Sequence, residues 1–224
     1  MKRSKNYLNA VKQIDKKKIY STKDGVELIK KINQTKFDAS IDIAIKLNID
    51  PSKTEQQLRG TVSLPHYYGK KIKILAITDE ISNEEAEKLE IKVGQTDVIK
   101  EIKDEQIYFD LIITTPKFMP SLSKLGKILG PKGLMPNPKL GTVTTNILKT
   151  INEFKKGKYQ YRTDTYGNIH MKIGKISAPT NDIVENIDTL ISFIKSKKPA
   201  TVKGEYIKNI TISSTMSPSV KLVK

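Results

Sequence analysis

Residues 125–142 are the segment of this chain whose composition most strongly suggests a binding site. They include four glycines, three prolines and three lysines, and no acidic residue. Glycine permits backbone conformations that other residues avoid, while proline fixes φ and removes a hydrogen-bond donor, so no long regular element can run through this stretch. A loop of this kind with lysines could contact an anionic ligand such as a phosphate, or it could serve only to shape the fold.

The common phosphate-binding motifs do not fit this stretch. A nucleotide P-loop requires two glycines separated by four residues and followed by Lys and Ser or Thr. Pro131 stands five residues after Gly126, where the second glycine is needed, and no dinucleotide-binding glycine fingerprint occurs. Residues 130–133 match the G-x-x-G clamp of KH domains, but Pro136 and Pro138 would break the helix that must follow the clamp.

Residues suited to catalysis or metal binding are scarce. The chain has no cysteine, which excludes disulfides and thiolate metal sites and fits a reducing cytoplasm, and it has only two histidines, His66 and His170. Neither histidine has a carboxylate partner nearby in sequence, and His170 alternates with Ile169 and Met171 as an outward-facing residue of a strand. We therefore expect no enzyme, no metal and no cofactor.

The net charge of +16 indicates a polyanionic partner, most often nucleic acid. Because 37 of the 40 basic residues are lysine, a general lysine bias of the proteome is the competing interpretation. No window of the chain is apolar enough to span a membrane or to act as a signal peptide, so we expect a cytoplasmic protein with no membrane partner.

The pattern of apolar residues changes along the chain. Before residue 66 it predicts a helix from Thr22 to about Asn33, an alternating strand over 38–49 and a short strand over 59–64, after a first segment that is either a frayed arm or an amphipathic helix. After residue 157 it predicts strands over 159–163, 168–173 and 206–214, with a helix after Pro179-Thr180. Between these parts it predicts buried strands over 71–78 and 108–114, alternating with helices over 82–89, 122–129 and 144–155, the last capped by Thr144.

These patterns predict a mixed α/β and α+β protein of two domains. A discontinuous two-layer α+β domain comprises residues 1–66 and 157–224, and a three-layer Rossmann-like α/β domain, residues 67–156, is inserted into it. The outer domain has 25 basic and 12 acidic residues, a net charge of +13, against +3 for the inserted domain. A proteome bias would spread charge more evenly, so this concentration favours the nucleic-acid interpretation.

Two segments of the outer domain combine groups that could contact RNA. Residues 34–40 contain a cation, an aromatic ring and hydroxyls in succession, which suit phosphate, base and ribose. Phe37 could instead be a core anchor at the start of a strand. Residues 213–219 contain five hydroxyl groups around Met216 and could equally be a plain turn.

Four blocks of sequence resemble the bacterial family of large-subunit ribosomal protein L-one, the stalk protein near the tRNA exit site. They occur in the family's order and span essentially the whole chain. The most specific is residues 126–139, Gly-Lys-Ile-Leu-Gly-Pro-Lys-Gly-Leu-Met-Pro-Asn-Pro-Lys. The others are residues 59–66, 36–38 and 214–216.

The resemblance implies a two-domain fold in which the outer domain binds 23S ribosomal RNA in the mobile stalk of the large ribosomal subunit. It also implies assistance in releasing deacylated tRNA from the exit site and repression of translation through the leader of the protein's own messenger RNA. We expect a monomer when the protein is free of the ribosome. The alternative is a dedicated RNA-binding translational repressor that acts off the ribosome.

The resemblance also implies site residues. The expected RNA contacts are Glu27, Lys36, Phe37, Ser40, Asn209, Ser213, Thr215, Met216 and Ser217. Apart from the resemblance, the lysines Lys124, Lys127, Lys132 and Lys139 could form a secondary RNA or tRNA face, or the stretch around them could be purely architectural. The hinge would consist of His66, Tyr67, Tyr68, Gly69 and Gly157. The chain departs from the family at Ser217, where Gly is usual, at Ala39, where Glu is usual, and at Tyr67-Tyr68, which replace a small, glycine-containing segment.

Overall fold

The computed structural model describes residues 3–15, 18–53, 55–70, 72–79, 91–94 and 108–223. Its contacts divide the chain into two compact units. Unit 1 consists of Met1–Tyr68 and Tyr159–Lys224, and unit 2 consists of Gly69–Lys158. The fold is mixed α/β with three separate sheets among the described residues, which confirms the predicted fold class.

Unit 1 is built on a four-stranded antiparallel sheet in the order β7-β1-β8-β9. Its strands are β1 (Ser40–Leu47), β7 (Asn168–Lys175), β8 (Ile207–Ser214) and β9 (Val220–Leu222). A second sheet pairs β2 (Arg59–Ser63) with β6 (Lys158–Arg162). The strand predicted over 38–49 is shorter in the structure, where β1 covers residues 40–47. Strand β9 was not predicted, because three residues are too few to show an alternating pattern.

Two helices cover one face of the four-stranded sheet. They are α2 (Thr22–Ile32) and α6 (Thr180–Ser196), and their apolar side chains join those of β1 in a single core. Helix α2 begins where the Ser21 hydroxyl accepts a hydrogen bond from the Asp24 backbone N–H at 3.1 Å, so Ser21 caps this helix. A shorter helix, α1 (Lys5–Lys12), contributes Ala10 to the same core, which confirms the helical alternative for this segment.

Unit 2 contains a parallel three-stranded sheet in the order β4-β3-β5. Its strands are β3 (Ile74–Ile77), β4 (Lys92–Gly94) and β5 (Leu111–Thr114), and β3 is buried at every position. Helix α5 (Ile147–Lys155) packs its apolar stripe against Ile74, Ala76 and Ile113. A separate cluster that includes Leu122 and Leu129 packs against Leu75, Ile77 and Ile112.

Two details of unit 2 differ from the sequence expectation. The single helix predicted over 122–129 is two short helices, α3 (Met119–Ser123) and α4 (Gly126–Leu129), because the backbone leaves helical geometry at Leu125 (φ −94°, ψ 7°). Thr144 does not cap α5; its hydroxyl accepts a hydrogen bond from the Asn146 backbone N–H at 3.1 Å and forms a turn just before the helix. The helix predicted over 82–89 lies outside the described residues.

Candidate nucleic-acid interface

Two of the predicted contact segments meet at one cleft of unit 1, which has a volume of about 260 Å³. Phe37 lies in the loop between α2 and β1, and Met216 lies in the turn after β8, and both line this cleft. The side chains of Phe37 and Met216 are 56% and 69% exposed, respectively. The interpretation of Phe37 as a core anchor is therefore wrong, because the ring points to solvent at a rim.

Hydrogen bonds hold the turn after β8 against the edge of the preceding loop. The backbone N–H of Ser40 donates to the Thr215 hydroxyl at 3.2 Å, and the Thr215 backbone N–H donates to the Ser40 carbonyl at 3.2 Å. The Ser214 hydroxyl donates to the Asn33 side-chain oxygen at 3.2 Å. These bonds fix Met216 relative to the segment that carries Phe37.

Ser217 has a structural role in this turn. Its hydroxyl accepts a hydrogen bond from the Ser214 backbone N–H at 2.8 Å and donates to the Pro218 carbonyl at 3.1 Å. Ser217 also lines the cleft, so this residue closes the turn while it borders the candidate site.

The loop that carries Phe37 is anchored on its other side by Asp38. The Asp38 carboxylate accepts hydrogen bonds from the Ser177 backbone N–H at 3.1 Å and the Ser177 hydroxyl at 2.9 Å, and it lies 3.1 Å from the Lys175 ammonium. Desolvation opposes ionisation of this carboxyl, but these three donors together lower its pKa. Lys36 is exposed beside it, free to meet an anion.

A polar row lies on the face of the sheet that α2 and α6 leave open. Outward-facing residues of β1 and β8 pair directly across the strands: Lys46 with Asn209, and Asp42 with Ser213. The Asn209 side-chain oxygen is buried and has no hydrogen-bond partner among the residues that the structure describes. An unpaired buried acceptor lowers the stability of the fold.

The same face continues onto β7, where Lys172 pairs with Asp42 and His170 pairs with Ala44. His170 is exposed, as predicted, and its Nε2 lies 3.3 Å from an Asp164 carboxylate oxygen. Sequence reasoning missed this carboxylate and the alignment of outward-facing residues from one strand to the next. Strand alternation gives the outward positions, but the pairing register that aligns them is not visible in the sequence.

Asp164 organises the hairpin between β6 and β7. Burial opposes its ionisation, but hydrogen bonds from the backbone and side chain of Asn168, from the Tyr166 backbone and from His170 lower its pKa to about 2. The two backbone bonds measure 2.7 Å from Asn168 and 2.8 Å from Tyr166. The carboxylate thus fixes the end of the strand that presents His170.

Glu27 lies on the exposed side of α2 and is the one acidic residue among the expected contacts. The residues that sequence reasoning missed at the cleft belong to α1 and to the segment just before it. Ser4, Asn6 and Tyr7 line the cleft together with Phe37. No signal in the sequence assigned them, because their position depends on where α1 docks.

In unit 2, the glycine-rich stretch has a clear architectural role. Leu129, Leu134 and Met135 pack onto the sheet, and Gly141 ends a short 3₁₀ turn (Pro138–Leu140) at φ 65°, a conformation that favours glycine. All four lysines predicted as a secondary face are exposed: Lys124, Lys127, Lys132 and Lys139.

The predicted hinge residues fall at the ends of the two units. Within unit 1, His66 Nε2 lies 2.8 Å from a Glu185 carboxylate oxygen, and the Tyr68 hydroxyl donates to Asp182. The Tyr67 ring contacts the Tyr159 ring with centroids 5.6 Å apart. Residues 66–68 are thereby held to unit 1.

Gly69 and Gly157 lie on the unit 2 side of the two boundaries. Gly157 has φ 108°, which residues with a β-carbon rarely adopt. Burial, together with the neighbouring Tyr67, raises the pKa of Tyr159 to about 12, so this ring stays uncharged next to the boundary.

Within the described ranges, no group of three or more His, Asp or Glu side chains is placed to hold a metal ion. In those same ranges, none of the helices is both long and apolar enough to cross a membrane.

The fold and the site together define a class: a basic, two-unit α/β protein with an open polar sheet face and with exposed apolar groups at a cleft. The sequence model of the ribosomal protein L1p/L10e family matches residues 29–218. The chain therefore belongs to this family and is a structural protein of the large ribosomal subunit, not an enzyme.

Three relatives match this chain over nearly their full length. The large ribosomal subunit protein uL1 of Mycoplasmoides gallisepticum is 57% identical over 213 residues, which cover 95% of this chain and 94% of the relative. The protein of the same name from Ureaplasma parvum is 52% identical, with coverage of 98% and 96%. That from Mycoplasma pneumoniae is 52% identical, with coverage of 99% and 97%.

Proposed function

We propose that unit 1 binds 23S ribosomal RNA in the mobile stalk of the large subunit. The observation that carries this proposal is the exposure of Phe37 and Met216 at one cleft, on the unit with most of the positive charge. Large apolar groups that cluster on a surface indicate a binding site, and the surrounding lysines favour a polyanion.

Each group at this face has a chemical counterpart in RNA. Lys36 and Lys46 would contact phosphates, the Phe37 ring would stack on a base or ribose, and the half-buried side-chain amide of Asn209 would form a hydrogen bond with a ribose hydroxyl. Glu27 would accept hydrogen bonds from a ribose hydroxyl or a base amino group.

The hydroxyls of Thr215 and Ser217 have a different part in this proposal. Both are already engaged within the protein, so they would shape the face by fixing Met216. The backbone of Ser40 helps to hold this turn by its hydrogen bonds to Thr215. Ser213 lies on the outward face of β8 and would lie beside the RNA.

We infer further that the protein assists release of deacylated tRNA from the exit site. The four exposed lysines of unit 2 would form the secondary RNA or tRNA face, and movement would occur at Gly69 and Gly157. Residues 66–68 are tied to unit 1, which supports a hinge that begins after Tyr68.

The same face would bind the leader of the protein's own messenger RNA and repress its translation, because a messenger element that mimics the ribosomal site would present the same groups.

A repressor acting only off the ribosome is distinguished by sedimentation. The protein should travel with large subunits at moderate salt in the cytoplasmic extract, whereas a free repressor would remain at the top of the gradient.

The replacement Phe37→Ala tests the main proposal. We expect it to weaken binding to a synthetic 23S stalk fragment by about 1–3 kcal/mol, the usual contribution of one aromatic stacking contact. Its free energy of unfolding should change by less than about 0.5 kcal/mol, because the ring is exposed. Filter binding and urea unfolding measure the two quantities.

Leu148→Ala is the matched control, since Leu148 is an exposed apolar residue of unit 2. It should leave affinity for the stalk fragment unchanged. If Phe37→Ala bound as tightly as the control, the proposed RNA-binding face would be wrong.

A further inference from the structure

The cleft beside Phe37 is built from three parts of unit 1. Ala10 and Ile32, which are 3% and 2% exposed, form its apolar floor. Its walls carry the two aromatic rings of Tyr7 and Phe37 together with uncharged polar groups and Met216 at the rim. The uncharged polar residues that line it are Ser4, Asn6, Gln34, Thr35 and Ser217.

The wall formed by α1 is held in place and is not a loose arm. Ala10 and Ile14 anchor this segment in the core of unit 1. The Ser4 hydroxyl accepts a hydrogen bond from the Tyr7 backbone N–H at 3.3 Å, and the Arg3 guanidinium carbon lies 4.7 Å from the centre of the Tyr7 ring. These contacts hold the Tyr7 ring at the cleft as a preformed surface.

The opposite wall is equally constrained. The Thr35 hydroxyl donates to the Phe37 carbonyl at 3.0 Å and pairs with the Asn33 side chain, which also accepts from Ser214. In contrast, the side-chain amides of Asn6 and Gln34 have no hydrogen-bond partner within the part of the chain that the structure describes. Each amide offers both a donor and an acceptor to a ligand in the cleft.

The chemistry of the cleft fits a small, flat, uncharged ligand with polar edges. None of the described residues that line the cleft is charged, whereas Arg3, Lys5 and Lys36 are exposed next to lining residues. Its volume of about 260 Å³ lies just below the range of roughly 300–1,000 Å³ for pockets that hold drug-sized ligands. A nucleobase fits an uncharged cleft of this size, and the phosphates of its RNA chain would lie outside the cleft among these cations.

We propose that this cleft receives one unpaired nucleobase of the RNA bound by unit 1, with Tyr7 and Phe37 as its stacking surfaces and Asn6 and Gln34 as readers of its edge. The inference rests on the proposed RNA binding and deepens it. It assigns to α1 a direct part in recognition, beyond the contact residues expected in the loop after α2 and the turn after β8.

The test uses the full-length protein and a synthetic 23S stalk fragment, with a series of fragments in which each unpaired nucleotide in turn lacks its base. One abasic fragment should bind about ten-fold to a hundred-fold more weakly than the intact RNA, as expected for loss of one stacked base. Tyr7→Ala should weaken binding to the intact fragment to a similar degree. The same variant should cause no further loss with that one abasic fragment.

Three variants keep this test interpretable. Tyr7→Phe retains the ring and should bind as the unchanged protein does. Leu8→Ala removes an apolar side chain of α1 that is 49% exposed and does not line the cleft, so it should have no effect. Asn6→Ala should alter the preference for the base at the sensitive position, measured with fragments that differ only there.

Two outcomes would overturn the inference. In the first, Tyr7→Ala weakens binding to every abasic fragment as much as it weakens binding to the intact RNA, which indicates a contact without base insertion. In the second, Tyr7→Ala does not weaken binding to the intact RNA. If Phe37→Ala still weakens binding in either case, the proposed function stands and only the base site fails. If neither Phe37→Ala nor Tyr7→Ala has an effect, RNA binding by this face fails as well.

Discussion

At the scale of single residues, the exposed apolar side chains and the engaged polar ones have separate tasks. Phe37 and Met216 contribute little to the core, since more than half of each is in solvent. Thr215, Ser217 and Asp38 make the hydrogen bonds that hold these two side chains in position. We therefore expect replacements of the first group to affect binding and replacements of the second group to affect stability as well.

Asp164 gives a prediction about pH at the residue scale. Its pKa is about 2 in the folded protein, against about 4 for an ordinary Asp carboxyl. Its contribution to the free energy of unfolding is therefore complete above about pH 4 and is lost as the pH falls toward 2. Asp164→Asn should lower the free energy of unfolding by about 1 kcal/mol near pH 6, because it weakens several hydrogen bonds to a charged acceptor. The difference from the unchanged protein should shrink between pH 4 and pH 2.

Urea unfolding at a series of pH values measures this difference. Glu27→Gln is a suitable control, because Glu27 is an exposed acid in the middle of α2. A difference between Asp164→Asn and the unchanged protein that stays constant down to pH 2 would show that the charge of Asp164 does not hold the hairpin.

At the scale of elements, α6 is the support on which β7 and the segment after β2 are aligned. Asn186 on this helix is fully buried, and its amide nitrogen donates to the carbonyls of His66 and Ile173, both at 2.9 Å. Its amide oxygen accepts from the His66 backbone N–H at 3.1 Å. One side chain therefore joins three elements of unit 1.

Asn186→Ala should lower the free energy of unfolding by about 3 kcal/mol, because buried backbone groups of His66 and Ile173 lose their partners. Thermal and urea unfolding measure this loss. Asn181→Ala, at an exposed position of the same helix, should change stability by less than about 0.5 kcal/mol. Equal stability of the two variants would mean that other contacts suffice to align these elements.

At the scale of the whole molecule, charge should dominate affinity for RNA. The outer segments carry a net charge of +13, so binding to the stalk fragment should weaken steeply with salt, with a logarithmic slope of about −0.7 to −0.9 per phosphate neutralised. Lys36→Gln should reduce the magnitude of the slope by about one.

Titrations of the full-length protein at several salt concentrations give these slopes. Lys149→Gln, an exposed lysine of unit 2, should leave the slope for the stalk fragment unchanged. A slope near zero for the unchanged protein would refute the electrostatic argument for RNA binding.

Periodic segments could be predicted from sequence because their burial pattern is local. Ile41, Ile43 and Ile45 alternate along β1, and the apolar stripe of α6 follows the helical period, so both elements occur where they were expected. Short elements such as β4 and β9 have too few residues to show a period, and the break at Leu125 depends on how two short helices pack onto the sheet.

Partners in space were the least predictable feature. The carboxylates beside His66 belong to α6, more than a hundred residues later in the chain, and they meet it only because that helix docks near the end of β2. The Asp164–His170 pair lies within one hairpin, so its turn geometry was a signal that could have revealed it.

The sequence alone determined the family, the mixed fold class and the concentration of positive charge, because composition and local periodicity are properties of neighbouring residues. Only the tertiary structure brought Tyr7, Phe37 and Met216 to one cleft and left the Asn209 oxygen without a partner among the described residues. Strand register and helix docking set those distances, and both depend on contacts between residues that are far apart in the chain.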